Sequence, residues 1–239
     1  MLTVTIAGTR QGTGKTTTAV NLAAELAVLG GRVALLDLDP RGCATVGLGY
    51  ALARDPWTSA PVPIALGEGC AGSLRLAPAG RPLASARGHD LRVLIGRWQG
   101  DADIVVIDTP PGATAVTTAA MEAADLLLTT VDPAGGPSDV RDAARIQWML
   151  SGEARALRAV LVRVQRTGGA ALRARIGESH PTALLTAEIP DAIDSPVGGP
   201  AIFRLTAPGT APGTAYRHLA REVLATLRSG DDPASYAAA

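Results

Sequence analysis

The chain lacks an excess of charge of either sign, because its 22 basic and 22 acidic side chains cancel over 239 residues. A uniformly basic coat for nucleic acid is therefore excluded. Hydrophobic residues make up 47% of the sequence. No apolar run, however, approaches the ~20 residues of a membrane-spanning helix. This composition indicates a soluble globular protein with a sizeable core and excludes a membrane or disordered chain.

The sequence also has few cysteines, and its first residues do not have the features of a signal peptide. The chain contains two cysteines, Cys43 and Cys70, and its first residues (MLTVTIAG) have no basic flank, long apolar segment or small-residue cleavage site. We therefore expect a cytoplasmic protein with reduced thiols, in which both cysteines act as small apolar side chains.

Lysine is nearly absent. Of the 22 basic residues, 21 are arginine, and the one lysine is Lys15. A lysine retained in such a background indicates a site that requires a compact ammonium rather than a planar guanidinium.

Short apolar runs alternate along the chain with helical patterns. The runs predict strands at residues 4–7, 33–36, 104–107, 126–131, 159–164 and 184–189. The helical patterns cover residues 17–29, 113–124, 138–150, 170–176 and 214–227. Such alternation is typical of an α/β fold, in which a mostly parallel, twisted sheet carries helices on both faces.

Two segments fall outside this alternation. Residues 50–100, with four prolines between positions 55 and 79, are interpreted as an irregular insertion. Residues 229–239 are small and partly acidic, and are predicted to form a disordered tail. The sequence thus predicts a single domain over residues 1–228.

A glycine-rich turn, residues 8–17 (GTRQGTGKTT), separates the first predicted strand from the first helix. Glycines let successive backbone amides point inward, and the helix N-terminus adds partial positive charge, which makes a cradle for phosphate oxygens. Lys15 would reach the β- and γ-phosphates, and the Thr16 hydroxyl would bind Mg²⁺. The residues expected to form the cradle are Gly12, Thr13, Gly14, Lys15, Thr16 and Thr17.

Residues 10–21 (RQGTGKTTTAVN) resemble the deviant Walker A box of the ParA/MinD ATPases, usually written KGGxGKT. The glycine of the strict P-loop pattern is replaced here by Thr9. In that family the first lysine of the box reaches the nucleotide of the partner subunit in a dimer. Arg10 stands in its place, and a guanidinium keeps the charge and can bridge two phosphate oxygens. The resemblance implies a catalytic role in trans for Arg10, beside Lys15.

Two further segments extend the resemblance to a P-loop NTPase of this family. Residues 37–45 (DLDPRGCAT) look like its second box, commonly DLDPQGNAT, in which Asp39 would position the attacking water and support Mg²⁺ through water. Residues 103–112 (DIVVIDTPPG) look like its Walker B strand and switch II, in which Asp108 would hold Mg²⁺ through a water. Asp37 is assigned no role beyond ending a strand.

The C-terminal part of the chain is also similar to the family's layout. By that resemblance, Arg163 and Pro190, near the ends of the last strands, would flank the adenine of ATP. MinD-type members end in an amphipathic membrane helix, whereas this chain ends in SGDDPASYAAA, so no membrane partner is expected. No helix-turn-helix precedes the first predicted strand, which favours the short ParA/Soj-like type.

ParA-like proteins form dimers around ATP and bind DNA without sequence preference. Residues 139–176 carry eight basic and three acidic side chains, a net charge of +5. Arg141 and Arg145 lie four residues apart on one predicted helix, and Arg217 and Arg221 do so near the C-terminus. We expect these four arginines to contact DNA phosphates.

The resemblance implies a slow, nucleoid-associated ATPase for plasmid or chromosome partition, stimulated by a ParB-like activator or cargo adaptor. Loss of the γ-phosphate would release the segments around Asp39 and Asp108 and then the partner subunit. Three alternatives remain open at this point: a positioning factor for a protein cargo, a nucleotide sensor that hydrolyses ATP poorly, and an amidoligase-type enzyme that activates a carboxylate with ATP.

Overall fold

The computed structural model describes residues 1–66, 70–85, 88–132, 141, 156–164, 169–179, 184–191 and 210–229. The strands are Leu2–Ala7 (β1), Arg32–Asp37 (β2), Val62–Ile64 (β3), Ser73–Ala77 (β4), Ile104–Asp108 (β5), Leu126–Val131 (β6), Ala156–Val164 (β7) and Leu184–Pro190 (β8). The α-helices are Lys15–Val28 (α1), Cys43–Gly47 (α2), Gly88–Gly96 (α3), Ala115–Glu122 (α4), Gly169–Ser179 (α5) and Ala211–Ser229 (α6). A 3₁₀-helix covers Arg81–Ser85.

The strands form one sheet in the order β3-β4-β2-β5-β1-β6-β7-β8. All neighbouring pairs are parallel except β3 and β4, which run antiparallel at one edge. The central strands β1, β5 and β6 are buried along almost their whole length because helices cover both of their faces. The predicted α/β fold with a mostly parallel sheet is therefore confirmed.

Alternate side chains of each strand point into two separate apolar layers, one on each face of the sheet. On β2, Val33 and Leu35 face the layer that contains α1 and α6, whereas Ala34 and Leu36 face the layer that contains α3 and α4. Successive side chains of a strand point to opposite faces of the sheet, so a single strand contributes apolar side chains to both layers. The sheet is thereby held rigid on both sides.

The segment 50–100 differs from the prediction. It was expected to be irregular, but it contains β3, β4, the 3₁₀-helix and α3. Strand β4 pairs in parallel with β2 and so extends the sheet. The sequence signal was weak because Arg75 interrupts the apolar run of this near-edge strand. The other predicted elements in the described ranges are found, with ends shifted by a few residues.

Two of the predicted segments lie wholly or mostly outside the described residues. The helix predicted at 138–150 lies outside the described residues except for Arg141, and the predicted tail lies outside them from residue 230 onward. Both cysteines are free, but Cys43 is exposed, so the expectation that it fills the apolar interior is wrong. Among the described helices, none is long and apolar enough to cross a membrane.

Helix α6 is fixed to α1 by a buried ion pair. The Nε of Arg217 donates to Oε2 of Glu25 at 3.0 Å, and the Glu25 side chain is fully buried. Tyr216, one residue earlier, is also buried in this contact. Since α1 begins at the glycine-rich turn, α6 braces the helix that carries Lys15.

We predict that Arg217→Ala lowers the free energy of unfolding by about 1–3 kcal/mol, because it leaves the Glu25 carboxylate buried without its cation. Chemical denaturation monitored by circular dichroism measures this directly. Arg221→Ala removes an exposed arginine from the same helix and serves as the control, with little expected change. Equal stability of the two variants would contradict the role given to the ion pair.

Candidate functional site

The sheet order brings the predicted site segments to one edge. Strand β5 lies between β1 and β2, so the glycine-rich turn after β1 is flanked by the ends of β5 and β6. Within β2 and β5, Asp37 and Asp108 are register partners at the last residue of each strand. The carboxyl end of a parallel sheet is where α/β folds bind ligands.

The turn between β1 and α1 has the backbone of a phosphate cradle. Gly12 and Gly14 adopt positive φ angles of 74° and 80°, a conformation that other residues rarely adopt. Gly14 immediately precedes α1 and makes no side-chain cap, so the N-terminal end of the helix, with its partial positive charge, begins directly at this turn. A Cβ at Gly14 would contact Val162 of β7 at 3.6 Å, so β7 supports the turn from outside.

Lys15 is held inside its own turn. Its Nζ donates to the carbonyl oxygen of Arg10 at 2.5 Å and to the Thr13 hydroxyl at 3.4 Å, and the residue is 6% exposed. The Thr130 hydroxyl, from the end of β6, donates to the Thr13 hydroxyl at 3.1 Å. The ammonium therefore has a fixed position beside the backbone cradle. The sequence did not predict the role of Thr130, because an isolated threonine at a strand end carries no recognisable signal.

Three carboxylates gather beyond the ends of β2 and β5. Asp37, Asp39 and Asp108 are 1%, 3% and 0% exposed. A backbone hydrogen bond joins the two strand ends here, since the Leu38 amide donates to the Asp108 carbonyl at 2.9 Å. Buried like charges repel and are costly unless a cation or hydrogen bonds compensate them.

Asp108 is compensated less well. Within the part of the chain that the structure describes, neither of its carboxylate oxygens has a hydrogen-bond partner, although both are buried. Burial, then the negative charge of Asp37, raises the pKa of Asp108 well above its usual range. The nearby Thr16 hydroxyl opposes that rise in pKa, but it lies outside hydrogen-bonding geometry. A buried acceptor left unsatisfied in this way indicates a place for a ligand.

Asp37 has a role that sequence reasoning missed. It accepts hydrogen bonds from the amide and hydroxyl of Thr45 at 2.8 and 2.7 Å, and from the Asp39 amide at 3.2 Å. The Thr45 hydroxyl in turn accepts from the Ala79 amide at 2.9 Å. Burial raises the pKa of Asp37 to about 6, although the Thr45 bonds oppose the shift. Asp37 thus anchors α2 to the sheet.

Asp39 is paired with an arginine. The Arg41 guanidinium contacts both carboxylate oxygens, with Nε 3.1 Å from Oδ1 and Nη2 2.7 Å from Oδ2. The Arg41 amide also donates to Oδ1 at 2.9 Å. The hydrogen bond to Asp39 raises the pKa of Arg41 further above its already high value.

This arrangement fits a hydrated Mg²⁺ ion. Oxygen donors are what Mg²⁺ prefers, and the Thr16 hydroxyl and the bare Asp108 carboxylate supply them beside the phosphate cradle. Within the described ranges, no three His, Cys, Asp or Glu side chains form a set that could hold a metal ion.

The remaining candidate residues lie elsewhere. Arg163 and Pro190 are at the ends of the neighbouring strands β7 and β8. Arg141 and Arg221 are exposed, whereas Arg217 is half-buried on Glu25. Arg145 lies outside the described residues. The adenine and DNA contacts of these residues stay predictions.

Comparison with known proteins accounts for these features together. The family described as "CobQ/CobB/MinD/ParA nucleotide binding domain" matches residues 4–196, which include the turn, Asp39 and Asp108. The chain belongs to this family. It is 36% identical over 132 residues to the chromosome-partitioning ATPase Soj of Thermus thermophilus, a match over 51% of each chain. The chain thus spans about half the length of the curated relatives it matches.

Solved structures agree on the fold. MinD of Pyrococcus horikoshii, complexed with Mg-ADP, superposes with a TM-score of 0.75 at 21% identity, over 95% of this chain and 98% of that one. Cobyrinic acid a,c-diamide synthase of Mycobacterium smegmatis, with bound ADP and magnesium, gives 0.75 at 22% identity over 97% of both chains. At these identities the likeness establishes the fold of this family member and nothing finer.

We predict that Asp108→Asn raises the free energy of unfolding of the nucleotide-free protein by about 1–3 kcal/mol at pH 8, because it removes a buried charge without partners. The raised pKa means that the folded wild type binds the carboxyl proton more tightly than the unfolded chain does. Wild-type stability therefore falls as the pH rises above ~4, and the advantage of the variant grows with pH. Denaturant unfolding at several pH values measures it.

Asp103→Asn is the matched control for that comparison. The hydrogen bonds from Arg32 lower the pKa of the exposed Asp103 to about 2, so its charged form is favoured in the folded state. Its replacement should lower stability slightly at pH 8, opposite in sign to Asp108→Asn. If Asp108→Asn were less stable than the wild type at that pH, the carboxylate could not be the uncompensated charge described above.

Proposed function

We propose that the protein is a Mg²⁺- and ATP-dependent switch of the ParA type, which dimerises with ATP and binds DNA without sequence preference. The observation that carries this proposal is the buried Asp108 carboxylate, which accepts no hydrogen bond from the described residues and lies beside the phosphate cradle. The relation to the Soj ATPase supports the partition role over other uses of the same fold.

Different residues of the chain bind the phosphates, the Mg²⁺ ion and the attacking water in this proposal. Backbone amides from Gly12 to Thr17 bind the phosphates, and Lys15 exchanges the Arg10 carbonyl for a phosphate oxygen. ATP with Mg²⁺ supplies the reactive γ-phosphate and the positive charge that offsets the carboxylates. Thr16 and Asp108 hold the hydrated ion, and Asp39 orients the attacking water. Hydrolysis in this family needs an oriented water more than a strong base.

The switch follows from how the segments are attached. Asp37 fixes α2 to the sheet, while Asp39 and Asp108 change partners when the γ-phosphate is lost. That change would release the partner subunit and the DNA. Arg10 acts in trans on the nucleotide of the partner, and Arg163 and Pro190 flank the adenine. Slow turnover would be stimulated by a ParB-like activator or cargo adaptor, in a cytoplasmic, nucleoid-associated protein.

One alternative has an observation in its favour. The fold is as close to a diamide synthase as to MinD, so an amidoligase-type enzyme uses the same core. Such an enzyme would hydrolyse ATP only with its carboxylate and amide-donor substrates, and would ignore DNA. A protein-cargo positioning factor would share the ATP dimer, and a nucleotide sensor would bind ATP with little hydrolysis.

We predict opposite effects from two single substitutions. Lys15→Ala removes the ammonium from the cradle and should abolish ATP binding and dimerisation. Asp39→Ala removes the water-orienting carboxylate and should lower ATP turnover at least tenfold while the ATP dimer accumulates. Light scattering after size exclusion with ADP and with ATP, together with phosphate release, measures both. Normal turnover in either variant would contradict the assignment.

We predict that the double variant Arg141→Ala, Arg145→Ala weakens DNA retention in the ATP state equally for unrelated sequences. Each lost phosphate contact should reduce the slope of log K against log salt by about 0.9. The double variant Arg81→Ala, Arg92→Ala, which removes two exposed arginines elsewhere on the protein, is the control for the change in net charge. An unchanged salt dependence in the Arg141→Ala, Arg145→Ala variant would exclude the helix predicted at 138–150 from the DNA interface.

A further inference from the structure

The Arg41 guanidinium forms an ion pair with Asp39, the carboxylate that we propose orients the attacking water. Nε and Nη2 of its guanidinium each contact a different Asp39 oxygen, at 3.1 and 2.7 Å. The Arg41 backbone amide adds a third hydrogen bond to Oδ1. Bidentate, charge-assisted pairs of this kind are among the stronger hydrogen bonds in proteins and fix the orientation of the carboxylate.

The backbone beneath this pair is fixed. The Gly42 amide donates to the Asp39 carbonyl at 2.7 Å, and Asp37 accepts from the Asp39 amide. Thr45, on α2, is held by Asp37 and by the Ala79 amide. The Asp39 side chain is 4% exposed, whereas that of Arg41 is 49% exposed. The pair therefore opens by movement of the arginine side chain into solvent and not by movement of the turn.

The pair conflicts with the role proposed for Asp39. A carboxylate with both oxygens engaged by one guanidinium has lost its main acceptor directions for a water molecule or for the hydration shell of a cation. Arg41 also supplies positive charge to a cluster that otherwise holds three buried carboxylates, Asp37, Asp39 and Asp108. In the nucleotide-free protein the arginine thus acts as the counter-ion of Asp39.

We propose that Arg41 is a positioning residue that latches Asp39, competing with hydrated Mg²⁺ and the attacking water for its carboxylate. The latch rests on the proposed function, and it regulates that same site. The Mg²⁺ and γ-phosphate of bound ATP shift the balance, the guanidinium turns outward, and Asp39 becomes free to orient water. Basal hydrolysis is slow in part because this exchange is needed before each turnover.

The test compares the wild type with Arg41→Gln and Arg41→Lys. Arg41→Gln keeps a polar side chain but loses the charged fork, so kcat for basal ATP hydrolysis should rise about fivefold, the scale of a half-exposed ion pair, while KM for ATP stays within about twofold. Arg41→Lys keeps the charge and loses the fork, so its kcat should lie nearer to that of Arg41→Gln than to the wild type.

A second readout does not depend on hydrolysis. With a fluorescent ADP analogue bound, the Mg²⁺ concentration that gives half the signal change should fall about fivefold in Arg41→Gln. Arg32→Gln is the matched control, because Arg32 makes the same bidentate pair with Asp103 at the opposite end of β2. It changes net charge equally and should leave kcat and the Mg²⁺ requirement as in the wild type.

Three results would overturn the latch: a lower kcat in Arg41→Gln, an unchanged Mg²⁺ requirement in that variant, or an Arg41→Lys enzyme indistinguishable from the wild type. Thermal unfolding of each variant verifies that the fold is intact. Because the Mg²⁺ titration uses an ADP analogue, it tests the latch even if the wild type hydrolyses no ATP, a result that would count against the proposed ATPase instead.

Discussion

Two carboxylates meet in register at the ends of neighbouring parallel strands, and the rest of the site is arranged around that contact. Asp37 and Asp108 end β2 and β5 and are both buried. Asp37 accepts hydrogen bonds from Thr45, but Asp108 has no hydrogen-bond partner among the residues that the structure describes. A sheet packed on both faces can hold such a charge in place, because its backbone cannot relax to hydrate the group. The unfavourable carboxylate is kept where a cation is to bind.

The two cationic side chains of the site, Lys15 and Arg41, make contacts within the protein that a bound nucleotide would have to displace in the proposed function. Lys15 rests on the Arg10 carbonyl, and Arg41 rests on Asp39. Each contact provides a charged side chain with a hydrogen-bond acceptor. In the proposed function, nucleotide binding would therefore exchange these protein contacts for phosphate contacts. Such exchange gives the two states of a switch comparable free energies, so that gain or loss of one phosphate can select between them.

Sequence analysis predicted the parts of the molecule that a pattern of neighbouring residues marks. The turn at 8–17 and the boxes around Asp39 and Asp108 were identified because glycine, lysine and strand-terminal aspartate occur there in a fixed order. The strand β4 was missed because its apolar run is short. The role of Asp37 was missed because no sequence pattern marks Thr45 as its partner, and that of Thr130 because its partner Thr13 is distant in sequence. Arg217 was expected to contact DNA, and its pairing with Glu25 across 192 positions could not be read from spacing.

The central claim is that Asp108 lacks a partner because the site is built for Mg²⁺ with a nucleotide. Isothermal titration of ADP into the protein, with Mg²⁺ and with EDTA, tests it directly, alongside the same pair of titrations on Asp108→Asn. The account predicts that Mg²⁺ tightens ADP binding at least tenfold in the wild type and has little effect in the variant. Binding of equal affinity with and without Mg²⁺ in the wild type would contradict it.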